Sequence, residues 1–256
     1  MTHDNFAENG TGKDTWRIFR IMAEFVEGFE VMSRVGPAVS IFGSARTRPN
    51  DPHYRLARDV AFGLASNKIA VITGGGPGIM EAANQGAMEA GGKSIGLNIS
   101  LPMEQKANAF QNVRVDFHYF FARKVMFVKY AFAFICFPGG FGTLDEFFES
   151  MTLIQTQKVR PMKVILVDRQ FWTPLIDWMR STLRDRYETI SAPDLDIATV
   201  CDEPNEVVQQ ILEFYQQNPE SAVPSATAAD LVKQPPDRLT AEGTIYGERP
   251  RTTPGT

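Results

Sequence analysis

Phe134-Ile135-Cys136-Phe137-Pro138-Gly139-Gly140-Phe141-Gly142-Thr143-Leu144-Asp145-Glu146 is the stretch that decides the fold. Ala131 to Phe137 is a short apolar run, as expected of a buried strand. Pro138 and three glycines break it, and a helical pattern follows with Thr143 and Glu146 spaced as a capping box. Strand, glycine loop and helix start are the parts of an anion site. Glycine lets main-chain N–H groups close on a phosphate, and the helix dipole favours the negative charge. Glu146 adds a carboxyl beside that loop, which points to chemistry on a phosphorylated sugar. The same spacing offers a structural role, because a glutamate at the third position of a capping box already bonds the helix start.

Outward from this stretch, strands and helices alternate. Lys13–Arg34 reads as an amphipathic helix, with Trp16, Phe19, Met22, Val26, Phe29 and Met32 in one stripe that packs on the domain or across a subunit contact. Strands are predicted at Gly36–Ser44, Ile69–Thr73, Lys93–Ile99, Val113–Phe120, Ala131–Phe137, Lys163–Asp168 and Ile197–Cys201. Helices are predicted at Asp51–Asn67, Ile79–Ala90, Ala122–Tyr130, after Gly142, at Thr173–Tyr187 and at Pro204–Gln217. The alternation predicts an α/β fold, a doubly wound Rossmann-like parallel sheet with helices on both faces. The expected organisation is a disordered segment 1–12, a helix over 13–35, one nucleotide-monophosphate-binding domain over 36–217, and a disordered Pro-rich tail over 218–256. Six of the 16 prolines fall in that tail, and apolar periodicity ends there.

Three glycine-bearing turns follow strand C-termini and therefore share one edge of the sheet, where such folds bind ligands. They supply the candidate substrate-binding residues Gly43, Ser44 and Arg46, then Gly74, Gly75, Gly76 and Gly78, then Gly139 to Thr143. Gly74–Gly78 is not a dinucleotide fingerprint: the third required glycine position holds Ile79, and the ribose-binding acid is missing, with Asn98 at that distance. Gly92-Lys93-Ser94 is not a P-loop, since Ala87 stands where glycine is required and a strand follows. Arg123-Lys124 puts two cations on a helix's first turn, against the dipole, which is understandable if an anion or Glu146 lies opposite. Phe117, Tyr119, Phe120 and Phe121 read as core or contact residues rather than a base-stacking face.

With 26 basic and 30 acidic side chains the net charge is −4, which offers no bulk attraction to nucleic acid or anionic membrane. Two cysteines, Cys136 and Cys201, fit a reducing compartment. No spanning helix or secretory signal is evident, so a cytoplasmic protein is expected. His3, His53 and His118 form no cluster with the cysteines, so no metal site is expected. No Gly-x-Ser-x-Gly elbow is present.

Arg123-Lys124 followed by Pro138-Gly139-Gly140-Phe141-Gly142-Thr143-Leu144-Asp145-Glu146 resembles the signature of the LOG (LONELY GUY) family, cytokinin riboside 5′-monophosphate phosphoribohydrolases often mislabelled as lysine decarboxylases. Gly74-Gly75-Gly76-Pro77-Gly78-Ile79-Met80 is similar to the family's first glycine loop, and the long N-terminal helix resembles its extended bacterial branch. The resemblance covers roughly Gly36 to Asp185. It implies hydrolysis of the N-glycosidic bond of AMP or N6-modified adenine riboside monophosphates to free base and ribose 5-phosphate, with no cofactor. By motif match it implies Arg123 and Glu146 as the catalytic pair. It gives Gly139, Gly140, Phe141, Gly142 and Thr143 as phosphate and ribose contacts, joined by Lys124 and, less directly, by Glu104 and Thr152. It also implies a homo-oligomer, a dimer or larger. Phe141 replaces the family's usual Tyr and Asp145 the first Glu of its Glu-Glu pair, which leaves substrate preference open. A non-catalytic nucleotide or cofactor carrier on the same fold is the alternative. A lysine decarboxylase would need a lysine placed for a Schiff base, and the sequence shows none.

Overall fold

The computed structural model describes residues 11–100 and 107–222. The readings made for residues 1–10, for Glu104 and for 223–256 lie outside the described residues.

The chain runs α1 (Thr11–Met32), β1 (Ala38–Phe42), α2 (Pro52–Ser66), β2 (Ala70–Thr73), α3 (Ile79–Glu89), β3 (Ser94–Ile99), β4 (Val113–Phe117), α4 (Phe120–Tyr130), β5 (Ala133–Cys136), α5 (Phe141–Gln155), β6 (Lys163–Leu166), α6 (Arg169–Trp178), β7 (Ala198–Val200) and α7 (Pro204–Gln217). Every strand pair is parallel, in the order β4-β3-β2-β1-β5-β6-β7. This is the expected doubly wound sheet. The period of two along each strand feeds two cores. Val39 and Ile41 of β1 face α2, α3 and α7, while Ala38 and Phe42 face α1, α4, α5 and α6. Both faces are covered, so the central strands are buried and mostly apolar. No described helix is long and apolar enough to cross a membrane.

Four of the boundaries that differ from the sequence reading bear on the packing or the site. The β-like run to Phe120 stops at Phe117, because Glu24 of α1 reaches across the chain. Its carboxylate accepts the N–H groups of His118 at 2.9 Å and Tyr119 at 3.2 Å and so caps α4 from outside. α6 starts before Thr173, since the Asp168 carboxylate accepts from Gln170 and Phe171 N–H and caps it there; Pro174 then falls inside the helix. A π-helical stretch, Met179–Arg186, continues α6. Pro219–Ala222 forms a 3-10 turn with Ser221 and Ala222 buried, so the packed body extends past Gln217 into the segment read as tail. The fourth difference, the start of α5, decides the site and is treated below.

Gly78 holds φ at +71°, and a Cβ there would stand 2.3 Å from the Ser44 carbonyl oxygen. Neither the torsion nor the contact tolerates a side chain. Gly78→Ala is expected to lower unfolding free energy by about 2 kcal/mol or more, measured by urea denaturation.

Candidate active site

Strand order reverses between β1 and β5, the position at which doubly wound sheets open a crevice beyond their strand C-termini. Two main-chain hydrogen bonds stitch the three loops there: Ser44 N–H donates to the Pro138 carbonyl at 2.9 Å, and Ile79 N–H donates to the Ser44 carbonyl at 3.1 Å. The crevice is a cleft of about 610 Å³. Its walls are Gly43, Ser44 and Arg46 after β1, Gly74 after β2, and Met80 on α3. Phe120, Arg123 and Lys124 of α4 form another side, and the first turns of α5 close it.

The glycines divide into two groups. A Cβ on Gly43 would strike Ile79, one on Gly139 would strike the Thr143 hydroxyl, and one on Gly75 would strike the Asn98 amide. These serve packing. Gly75 and Gly76 are further held by Asn108 and Gln111, which donate to their carbonyls. Gly140 and Gly142 are different: a Cβ there meets nothing within 4 Å. Packing does not require them, and they leave the main chain open to the cleft. Gly74 lies between, because a side chain there would crowd the Arg123 guanidinium, 2.6 Å away.

The capping box does not form. α5 begins at Phe141 with Gly140 as its N-cap and no side-chain cap, and Thr143 and Leu144 N–H both donate to the Gly140 carbonyl. Gly140 caps in an ordinary extended conformation, with φ at −90°. Thr143 thus stands where the box would place the glutamate, and Glu146 is moved a turn inward, released from any capping task. It sits in the buried row Thr143, Glu146, Phe147, Ser150. Only 8% of it is exposed, and its buried Oε2 has no hydrogen-bond partner. Burial raises its pKa from the usual 4.5 to about 7, with Lys124 and Arg123 opposing the rise and Glu149 and Asp145 adding to it.

Arg123 is largely withdrawn from solvent, and that burial lowers its pKa to about 10 against the attraction of Glu146. Its guanidinium lies 5.2 Å from the Phe127 ring centroid. Among the described residues no hydrogen bond engages it. Lys124 bridges to α5, with Nζ 2.8 Å from Asp145 and 3.1 Å from Glu149. Burial works against its charge, but these two carboxylates outweigh it and raise its pKa. Because α4 starts at Phe120, two residues before the predicted Ala122, Arg123 ends its first turn and Lys124 begins the second; Lys124 is paired with two carboxylates, while Arg123 feels only the attraction of Glu146.

Of the residues singled out in the sequence, Gly43, Ser44, Arg46, Gly74, Arg123, Lys124, Gly140, Phe141, Gly142, Thr143 and Glu146 come together around the cleft. Gly75, Gly78 and Gly139 stand behind it as packing residues, and Gly76 is held there by the Asn108 amide. Thr152 is a correction: it is exposed farther along α5, outside the cleft, and its hydroxyl donates to the Phe148 carbonyl. Six residues is not a whole number of turns, so it cannot share the face of Glu146. Phe120, read as core or contact, is half exposed and lines the cleft, unlike the buried Phe117. Met80 and Phe42 were not foreseen either; nothing in their local pattern separates them from core residues.

The fold is that of a doubly wound α/β protein, with a cleft at the strand-order reversal. The family described as "Possible lysine decarboxylase" matches residues 80–211, and the chain belongs to this family, the LOG family. It is 26% identical over 148 residues to a cytokinin riboside 5′-monophosphate phosphoribohydrolase of Rhodococcoides fascians, covering 56% of this chain and 73% of that one. It is 26% identical over 182 residues to a phosphoribohydrolase of the same name from Arabidopsis thaliana, covering 69% and 82%. Among solved structures, the molybdenum cofactor carrier protein of Chlamydomonas reinhardtii shares the fold, with a TM-score of 0.52 at 20% identity over 71% of this chain and 99% of that one. The molybdenum cofactor binding protein of Rippkaea orientalis gives 0.51 at 21% identity, covering 70% and 95%.

A buried acid with a raised pKa favours the protonated fold. Ionising Glu146 therefore costs stability as pH rises above 4.5, and the full cost is present above about 7. Glu146→Gln, neutral throughout, is expected to be more stable than wild type above pH 7, by on the order of 3 kcal/mol. The gain should shrink to nothing below pH 4.5. Urea denaturation at a series of pH values checks this.

Proposed function

We propose that the protein hydrolyses the N-glycosidic bond of purine nucleoside 5′-monophosphates, AMP or its N6-modified forms, releasing free base and ribose 5-phosphate. The observation that carries this reading is the unpaired, buried carboxyl of Glu146 on the wall of a cleft whose glycines 140 and 142 leave room for a ligand. Family membership and the names of the curated relatives support it.

The chemistry follows from the parts. At the start of α5 the Phe141 and Gly142 N–H groups precede the first helix hydrogen bonds, which Thr143 and Leu144 give to Gly140, and these two receive the 5′-phosphate. Phosphate binding far from the reacting bond fixes the ribose. Cleavage of the bond between the base nitrogen and C1′ develops positive charge on the sugar. The Glu146 carboxylate stabilises that charge and orients the water whose oxygen adds to C1′, and the departing base nitrogen takes up a proton. Arg123 partly offsets Glu146 in the free protein, and its donors remain available to the nucleotide. Phe120 and Phe141, the latter 92% exposed at the rim, offer apolar surface for a purine face.

A pyridoxal-dependent decarboxylation does not fit these residues. Lys124 is the lysine on the cleft wall, and Asp145 and Glu149 hold it as an ammonium, whereas a Schiff base needs a neutral amine. A passive carrier would need the phosphate cradle but no buried acid beside it.

The oligomer is proposed through α1. Its inner side meets the core through Met32 and Phe25, but Trp16, Phe19, Met22 and Val26 stay exposed on its outer side, Trp16 by 69%. An apolar stripe of this kind suits a second copy of the chain. The buried free thiols of Cys136 and Cys201 agree with a cytoplasmic setting.

Incubation with AMP, N6-substituted AMP and adenosine, followed by chromatography of free base, tests the activity. Release from a monophosphate and not from adenosine is expected; binding without release from any of them would favour the carrier. Glu146→Gln should keep nucleotide binding while turnover falls by about 10²-fold or more, and Arg123→Ala should be nearly inactive. Val26→Glu should reduce the mass measured by light scattering to that of a monomer, whereas an unchanged mass would place the contact elsewhere.

A further inference from the structure

Of three neighbouring carboxyl groups on α5, Asp145, Glu146 and Glu149, the first and last meet the ammonium of Lys124 and Glu146 does not. Asp145 and Glu149 lie one turn apart on α5, on either side of Glu146 in sequence. Lys124 Nζ is 2.8 Å from one and 3.1 Å from the other. Its side chain is mostly covered, so it is not free to serve many partners. Glu146 lines the cleft beside it, buried, with an oxygen that nothing bonds.

We propose that Glu149 is a positioning residue for Glu146: together with Asp145 it draws the Lys124 ammonium away, so that the acid on the cleft wall is left without an ion-pair partner. This rests on the hydrolase reading for its use, but not for its geometry. The charged and titratable groups that face Glu146 are Arg123 and Lys124 of α4, Asp145 and Glu149 of α5 itself, and the Cys136 thiol of β5. Arg123 and Lys124 favour the carboxylate; Asp145, Glu149 and burial oppose it. Arg123 is stacked on Phe127 and packed against Gly74, so it is held in place. Lys124 is the partner whose attention can be divided, and Glu149 is the inner of the two groups that divide it, about one third exposed against nearly two thirds for Asp145. The same division explains why Glu149 keeps a buried oxygen without a well-directed hydrogen bond: it shares one ammonium with a neighbour that bonds it better.

The consequence is specific. Removing the charge of Glu149 takes away a repulsion and frees Lys124 to turn toward Glu146, and both effects favour the Glu146 carboxylate. The full-length chain with carboxyl-13C glutamate is titrated by NMR, the Glu146 signal being the one lost in Glu146→Gln. Glu149→Gln is expected to lower the Glu146 midpoint by roughly one pH unit or more, while Glu149→Asp retains most of the wild-type value. The acid limb of base release from AMP should move down by the same interval, with KM for AMP changed far less than the limb. An unchanged Glu146 midpoint in folded Glu149→Gln overturns the proposal. If that variant fails to fold, Asp145→Asn unties the same ammonium from the exposed side and must lower the midpoint instead. If wild type releases base from no monophosphate, the hydrolase reading fails, and the NMR midpoints still decide the role of Glu149.

Discussion

The main chain of Ser44 holds the functional edge of the sheet together. Its N–H reaches the loop after β5 and its carbonyl receives the start of α3, so the loops after β1, β2 and β5 form one piece at the strand-order reversal. Gly43 and Gly78 have no room for side chains because they pack into this joint. A rim built from main chain and closed by such contacts is set before any ligand arrives. That is the condition under which hydrogen-bond donors can stabilise developing charge without first reorganising.

The joint also fixes where α5 begins, and this decides the character of Glu146. With Gly140 as the cap, the buried row of the helix runs Thr143, Glu146, Phe147, Ser150, Met151. A glutamate thus occupies a place where helical periodicity and the core both ask for an apolar group. Burial without a bonded partner shifts its protonation toward neutrality, and the two nearby cations only partly reverse this. Burial thereby pushes this carboxyl up to about 7, beside a cleft lined by glycines. Such a group is poised for acid–base work, where an ordinary surface carboxylate would simply be ionised.

Much of this was legible in the sequence, and what escaped did so for definable reasons. Strand and helix order followed from apolar runs and periodicity, and the glycine turns located the ligand edge. The capping box was a plausible local pattern, but a glycine three residues earlier took the cap. The buried row into which Glu146 falls could have been found by extending the helical period backward to Phe141. The end of β4 could not, because the carboxylate that caps α4 comes from Glu24, more than ninety residues away in the chain. Nor could the two kinds of glycine be told apart. Gly139 and Gly140 are identical neighbours in the sequence, and only the three-dimensional surroundings show that one packs on Thr143 and the other faces open space.

The scaffold alone does not separate an enzyme from a carrier, since solved carriers at about one fifth identity share it. The separation lies in what each residue costs and what it contributes. Gly43, Gly75, Gly78 and Gly139 are accounted for by packing, and a carrier would need them as much as an enzyme. Gly140 and Gly142 are not accounted for by packing, and the room they leave at the cleft would serve either. Glu146 is accounted for by neither. It gives no cap, accepts no hydrogen bond at its buried oxygen, and works against the stability of the helix row it occupies. The proposed hydrolysis accounts for a group that weakens the fold where it sits, because beside a sugar phosphate a carboxylate would answer to positive charge at the anomeric carbon.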